Sequence, residues 1–264
     1  MSATPEMPQA ATPSPTIQRL LDLSAVHPQW RPLLAPALAQ VDGAYLTELL
    51  TDPDWLPGPG RLLAAFQRDL SHCRFILFGE SPYPRRESAN GIAFQDAAVT
   101  RLWSDTGLSK AVNRATSLRN IIKAALLAER RLEPDADGRI PQAAIATLDR
   151  SSLIDTLDEL FDNLHQRGFL LFNATPVLHP ARKPAREARY WDPFCADLLR
   201  RIDASSVANP TLVLWGRIAN TIGNSDIGRR FPRMSSEHPY NVSFIHNVAM
   251  QDLLAELELL RRPD

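Results

Sequence analysis

Three short runs of apolar residues limit what this chain can become: Phe75-Ile-Leu-Phe-Gly79, Gly168-Phe-Leu-Leu-Phe-Asn173 and Thr211-Leu-Val-Leu-Trp-Gly216. Each is too short for a helix and apolar on both faces, the pattern of a strand covered on two sides in a parallel sheet. Residues 233–237 read as a fourth strand. Helical spacing falls over residues 30–50, 61–70, 118–132 (with Ser117 as N-cap), 152–167, 191–202, from 218 onward, and over 248–261. This alternation predicts an α/β fold of three layers, α/β/α, around a central, mostly parallel four-stranded sheet.

The runs share a second property: each ends in polar chemistry. Glu80, Ser81 and Tyr83 follow Gly79 and are stiffened by Pro82 and Pro84; Asn173 closes the second run; His238 lies just past the fourth. Taken singly, Asn173 reads as a turn cap and His238 as a surface histidine. A parallel sheet gathers all of them at its carboxyl edge, where open α/β sheets bind ligands.

Composition narrows the class. With 264 residues and 44% hydrophobic content, the chain can bury one good-sized core. We expect a tail over residues 1–16 and one domain over 17–264, with a short amphipathic segment at 17–23. The formal net charge of −1 gives no global positive field, so any nucleic-acid face must be local. Two such clusters exist: Lys110, Arg114, Arg119 and Lys123, and Arg182, Lys183, Arg186 and Arg189. Two cysteines, Cys73 and Cys195, are too few for a disulfide scaffold or an iron–sulfur cluster, and suit a reduced cytoplasmic setting. No apolar run is long enough for a membrane span and no signal peptide is visible.

Five segments, in order, resemble the uracil-DNA glycosylase superfamily. Gly79-Glu-Ser-Pro-Tyr-Pro84 with Gly91-Ile-Ala-Phe94 is similar to the first motif, Gly-Gln-Asp-Pro-Tyr-His followed by Gly-Leu-Ala-Phe. Ala115-Thr-Ser-Leu-Arg-Asn120 matches Pro-Pro-Ser-Leu-Arg-Asn, Leu170-Leu-Phe-Asn173 matches Leu-Leu-Leu-Asn, and Leu214-Trp-Gly216 matches Leu-Trp-Gly. His238-Pro-Tyr-Asn-Val-Ser243 resembles the closing His-Pro-Ser-Pro-Leu-Ser loop. The resemblance runs to the classical family, with a divergent first motif.

It implies a monofunctional DNA glycosylase, without metal or cofactor, working as a monomer in base excision repair. Its DNA, single- or double-stranded, carries uracil or a modified pyrimidine that must leave the stack before the N-glycosidic bond is hydrolysed. Asn173 would read the uracil edge, Tyr83 exclude a C5 methyl and Phe94 stack on the base. His238 would donate to the base oxygen where negative charge builds. Ser117 and Ser243 would grip phosphates beside Arg119, and Val242 would stand where the family inserts leucine.

The departures are specific. Ser81 replaces the catalytic aspartate and carries no charge at neutral pH, leaving Glu80 as the acid of the motif; both are candidate catalytic residues with His238. Glu80-Ser81 is similar to a branch whose motif runs Gly-Glu-Ala-Pro-Gly and which is active without the aspartate. Residues 130–141 read as an insertion, and Tyr240 and Asn241 replace small residues of the closing loop. The alternatives are a catalytically impaired protein of this fold that binds DNA or a protein partner, and a glycosylase for a different modified base.

Overall fold

In the computed structural model, residues 25–205 and 207–263 are described; the expected tail and the segment at 17–23 lie outside the described residues. The apolar runs form strands β1 (Phe75–Gly79), β4 (Phe169–Asn173) and β5 (Thr211–Trp215), with β6 at Arg233–Ser236; a small antiparallel pair, β2 (Trp103–Ser104) and β3 (Gly107–Leu108), was not legible in the sequence. The main sheet has the order β4-β1-β5-β6, and every pairing is parallel.

Strand alternation sends side chains to two cores. Ile76, Phe78, Leu170, Phe172, Leu212 and Leu214 pack on one face with Leu34, Trp191 and Phe194 from helices Arg31–Leu38 and Pro184–Ala204. Phe75, Leu77, Phe169, Leu171, Val213 and Trp215 pack on the other, against helices Thr116–Ala128, Leu157–Gln166 and Val248–Leu257. Apolar residues on both faces are therefore required, as the sequence pattern implied.

Helix boundaries differ from the periodicity in instructive ways. The expected helix at 30–50 breaks into Arg31–Leu38 and Gly43–Thr51, because Asp42 caps the second by accepting from the Tyr45 N–H at 2.8 Å. Residues 61–70 form no α-helix: Pro59–Arg61, Ala64–Phe66 and Leu70–His72 are single 3-10 turns. Ser117 is not the N-cap. The short helix Lys110–Arg114, capped by Ser109, runs through Ala115 directly into Thr116–Ala128, so Ser117 sits in the first turn. Residues 152–156 stay outside the helix Leu157–Gln166, which a Thr156/Glu159 capping box starts. The last helix stops at Leu257, where Glu258 turns left-handed. Within the expected insertion, residues 133–141 are a loop, and a short helix, Gln142–Ala146, follows it.

One buried polar network anchors the segment after β4. Glu187, fully buried near the start of helix Pro184–Ala204, accepts from the Tyr45 hydroxyl and from Arg182 Nη1 at 3.4 Å. The Trp191 indole donates to the Tyr45 oxygen at 2.9 Å, and Arg182 Nη2 reaches Glu48 at 2.8 Å. Burial, reinforced by the Glu187 carboxylate, pushes the Tyr45 hydroxyl well above its ordinary pKa and keeps it a donor. Arg182 thus points inward, and of the second basic cluster Lys183, Arg186 and Arg189 alone are solvent-exposed.

Removing Glu187 leaves a half-buried guanidinium with Glu48 alone and a buried phenol without its acceptor. Glu187→Ala should lower stability by about 2–5 kcal/mol, read as a shifted urea midpoint.

Candidate active site

The parallel register sets Gly79 beside Asn173. Pairing continues past the strands: the Ala174 N–H donates to Gly79 O at 2.8 Å and the Thr175 N–H to Glu80 O at 3.0 Å. Ala93 N–H donates to Leu171 O at 3.1 Å, which draws the segment 91–94 over the same strand end. A Cβ on Gly79 would lie 2.4 Å from Asn173 Oδ1 and 2.8 Å from Ala93 Cβ. Only glycine lets the amide settle there. Asn173 is 3% exposed and makes no side-chain hydrogen bond among the described residues. Its amide atoms are not among the fully buried unpaired ones, so a donor and an acceptor stay open to a ligand at the strand end.

Aromatic side chains gather at the same edge of the sheet. The Tyr83 hydroxyl donates to Phe94 O at 3.3 Å; burial, with the nearby Asp96 carboxylate, pushes its pKa up to about 12, so it stays protonated. Phe94 holds a left-handed backbone, φ 65°, which costs a non-glycine residue about 1–2 kcal/mol. That strain turns its ring to stand 5.1 Å from the Trp215 ring and 5.9 Å from the His238 imidazole, centroid to centroid. His238 in turn packs on Gly216, whose φ is 81° and whose added Cβ would lie 2.8 Å from His238 Cβ.

The protonation of His238 follows from its contacts. The Tyr240 N–H donates to His238 Nδ1 at 3.1 Å, so the neutral ring carries its proton on Nε2. Burial lowers its pKa below the ordinary value, and the opposing pull of the Glu80 carboxylate does not cancel that. At neutral pH His238 is therefore a neutral imidazole with a donor on Nε2.

Asn120, buried on helix Thr116–Ala128, ties the closing loop to the rest of the site. Its amide donates to Pro239 O at 2.7 Å and approaches Tyr240 O and Asn241 O, each at 3.4 Å. Val242 and Ser243 beyond it are exposed. The Ser243 hydroxyl bonds the Glu237 carboxylate, and with the Asn247 amide at 2.9 Å holds that carboxyl below its usual range. Glu80 is exposed and Ser81 half-buried, both at the mouth; Ser117 is half-buried at the helix start. The first basic cluster divides. Lys110 and Arg114 are exposed, whereas Arg119 Nη1 donates to Asn113 O at 3.0 Å and Lys123 Nζ to Ile140 O at 2.6 Å. Among the described residues no cluster of three His, Cys, Asp or Glu side chains is placed to hold a metal ion.

The crystal structure of a UNG from Nitratifractor salsuginis superposes on this chain with a TM-score of 0.87 and 39% identity, covering 96% of this chain and 100% of that one. The chain belongs to the uracil-DNA glycosylase superfamily. A tyrosine-to-glycine variant of the same UNG matches with a TM-score of 0.87 and 38% identity over 94% of this chain and 99% of that one. A uracil-DNA glycosylase of Mycobacterium ulcerans is 26% identical over 229 residues, 85% of each chain. A mimivirus UNG solved with UGI, at 16% identity and TM-score 0.53 over 83% of this chain and 72% of that one, shares the fold. No protein-family model matches.

Within this glycosylase fold, Glu80, Ser81, Tyr83, Phe94, Asn173 and His238 gather at the carboxyl edge of the sheet; Val242 and Ser243 line the closing loop, and Ser117 and Arg119 the facing helix. Asn120 and Trp215 had no assigned role in the sequence reading. Both stood inside recognised motifs, but their residue types alone named neither the carbonyls nor the ring they meet.

Gly79→Ala should displace the Asn173 amide and press on Ala93 Cβ, which its own backbone holds in place. The expected outcome is a fall in kcat/KM of about a hundredfold or more on a uracil-containing oligonucleotide, together with a lowered melting temperature.

Proposed function

We propose that this protein removes uracil from DNA by hydrolysing the N-glycosidic bond and leaving an abasic site. The observation that carries the reading is a buried Asn173 amide that makes no side-chain hydrogen bond among the described residues, at the same sheet edge as a neutral His238 that carries its proton on Nε2 beside the Phe94 ring. The amide offers a donor and an acceptor matching the uracil edge, and the same pair mismatches cytosine. Phe94 stacks on the extrahelical base, while Tyr83, tied to Phe94 O, stands against C5 and excludes the thymine methyl.

As the bond to the sugar breaks, electrons move onto the base and negative charge grows on its oxygen. His238 Nε2–H donates to that oxygen; a neutral donor already in place needs no proton rearrangement. The sugar becomes cationic. Glu80, the acid of the first motif, supplies negative charge on that side and orients the attacking water, a task Ser81 cannot perform. Ser117 and, turned away from the Glu237 carboxylate, Ser243 grip flanking phosphates, Arg119 braces Asn113 O beside Ser117, and Val242 enters the vacated stack. The exposed Lys110, Arg114, Lys183, Arg186 and Arg189 supply non-specific attraction to the backbone. We further propose that it acts on single- or double-stranded DNA as a cytoplasmic monomer.

The deciding assay incubates the protein with DNA bearing one uracil and cleaves abasic sites with alkali; a strand break at the uracil is expected, and an intact strand would leave a binding-only protein.

Glu80→Gln should lower turnover about a hundredfold. It should also lower the His238 pKa further, because the carboxylate that raises it is gone while burial remains. Ring-resonance titration by NMR checks this: the wild-type midpoint falls below 6.5 and the variant midpoint lower still. Unchanged turnover removes Glu80 from the mechanism.

Tyr83→Ala should admit thymine. Excision of thymine should become measurable in the variant while uracil excision falls, compared on matched oligonucleotides carrying U, T and 5-hydroxymethyluracil. Wild-type preference for the bulky 5-substituted base would show that no wall stands at C5.

A further inference from the structure

Two apolar side chains stand in solvent on the closing loop, Tyr240 at 68% and Val242 at 63% exposure. The backbone beneath Tyr240 is held at both ends. Its N–H donates to His238 Nδ1 at 3.1 Å and its carbonyl lies 3.4 Å from Asn120 Nδ2. The next residue, Asn241, donates its N–H to His238 O at 2.9 Å. The ring itself makes no ring contact and the hydroxyl no hydrogen bond among the described residues. An aromatic side chain is thus presented outward from a fixed backbone, two residues from His238 and two from Val242.

An exposed ring of this kind suits base stacking. Every nucleobase has a π-face, so the contact tolerates sequence, and tyrosine has only two torsions to immobilise. Resting on the uracil-excision reading, we propose that Tyr240 stacks on the nucleobase flanking the excised nucleotide on the same strand. It acts as a positioning residue that sets the register of the extrahelical nucleotide against the pocket.

The test compares wild type, Tyr240→Ala and Tyr240→Phe on single-stranded and duplex oligonucleotides carrying one uracil. Tyr240→Ala should raise KM about tenfold on both substrates with kcat within about twofold, and Tyr240→Phe should restore the wild-type KM. In parallel, 5-iodouracil is placed on either side of the uracil and irradiated in the complex. Crosslinking should map to Tyr240 from one flanking position and vanish in the alanine variant. An unchanged KM overturns the proposal. So does a rise confined to the duplex, which would place the ring in the vacated stack, and so does a fall in kcat that phenylalanine does not rescue. If the wild type excises no uracil, the functional reading fails by itself, and the crosslink still decides for or against the stack.

Discussion

A missing methyl group at residue 79 governs the arrangement of this site. Parallel pairing fixes Gly79 against Asn173, and the amide occupies the space a Cβ would fill. Because β1 is central in the sheet, nothing can shift to make room without breaking ladders on both sides. The same constraint brings Ala93 and, through it, Phe94 onto the strand end. The site is therefore built on rigid elements, with loops contributing only where they are tied back to the sheet.

Electrostatically, the centre of the site is nearly neutral. Asn173 is an amide, His238 an uncharged imidazole, Tyr83 a protonated phenol, and Ser81 a hydroxyl where the family carries a carboxylate. Glu80 is the acid left in the first motif and sits in solvent, while the buried Asp96 near Tyr83 is neutralised by its pair with Arg85. Charge exposed to water interacts more weakly than charge held in a dry pocket. The chain thus relies on polar groups pre-set by the backbone more than on a buried ion.

Much of this was legible in the sequence. Doubly apolar runs named β1, β4 and β5, and their polar ends named the edge where the site lies. Family motifs then gave order to Tyr83, Phe94, Asn173 and His238. What was not legible depended on contacts distant in sequence. Arg182 looked like part of a basic face until Glu187 and Glu48 drew it inward. Arg119 and Lys123 looked solvent-facing until carbonyls of Asn113 and Ile140 claimed them. Asp42 interrupted an apolar periodicity that carried on past it, and periodicity alone has no means of seeing a cap.

The hydrogen bond that fixes the tautomer of His238 comes from a main-chain N–H, that of residue 240. The tautomer of His238 therefore does not depend on which side chain residue 240 carries. Proline is the residue this position excludes, since it has no N–H to give. A loop wired in this way accepts a tyrosine at 240, where the resembled family carries a small residue, without disturbing the imidazole.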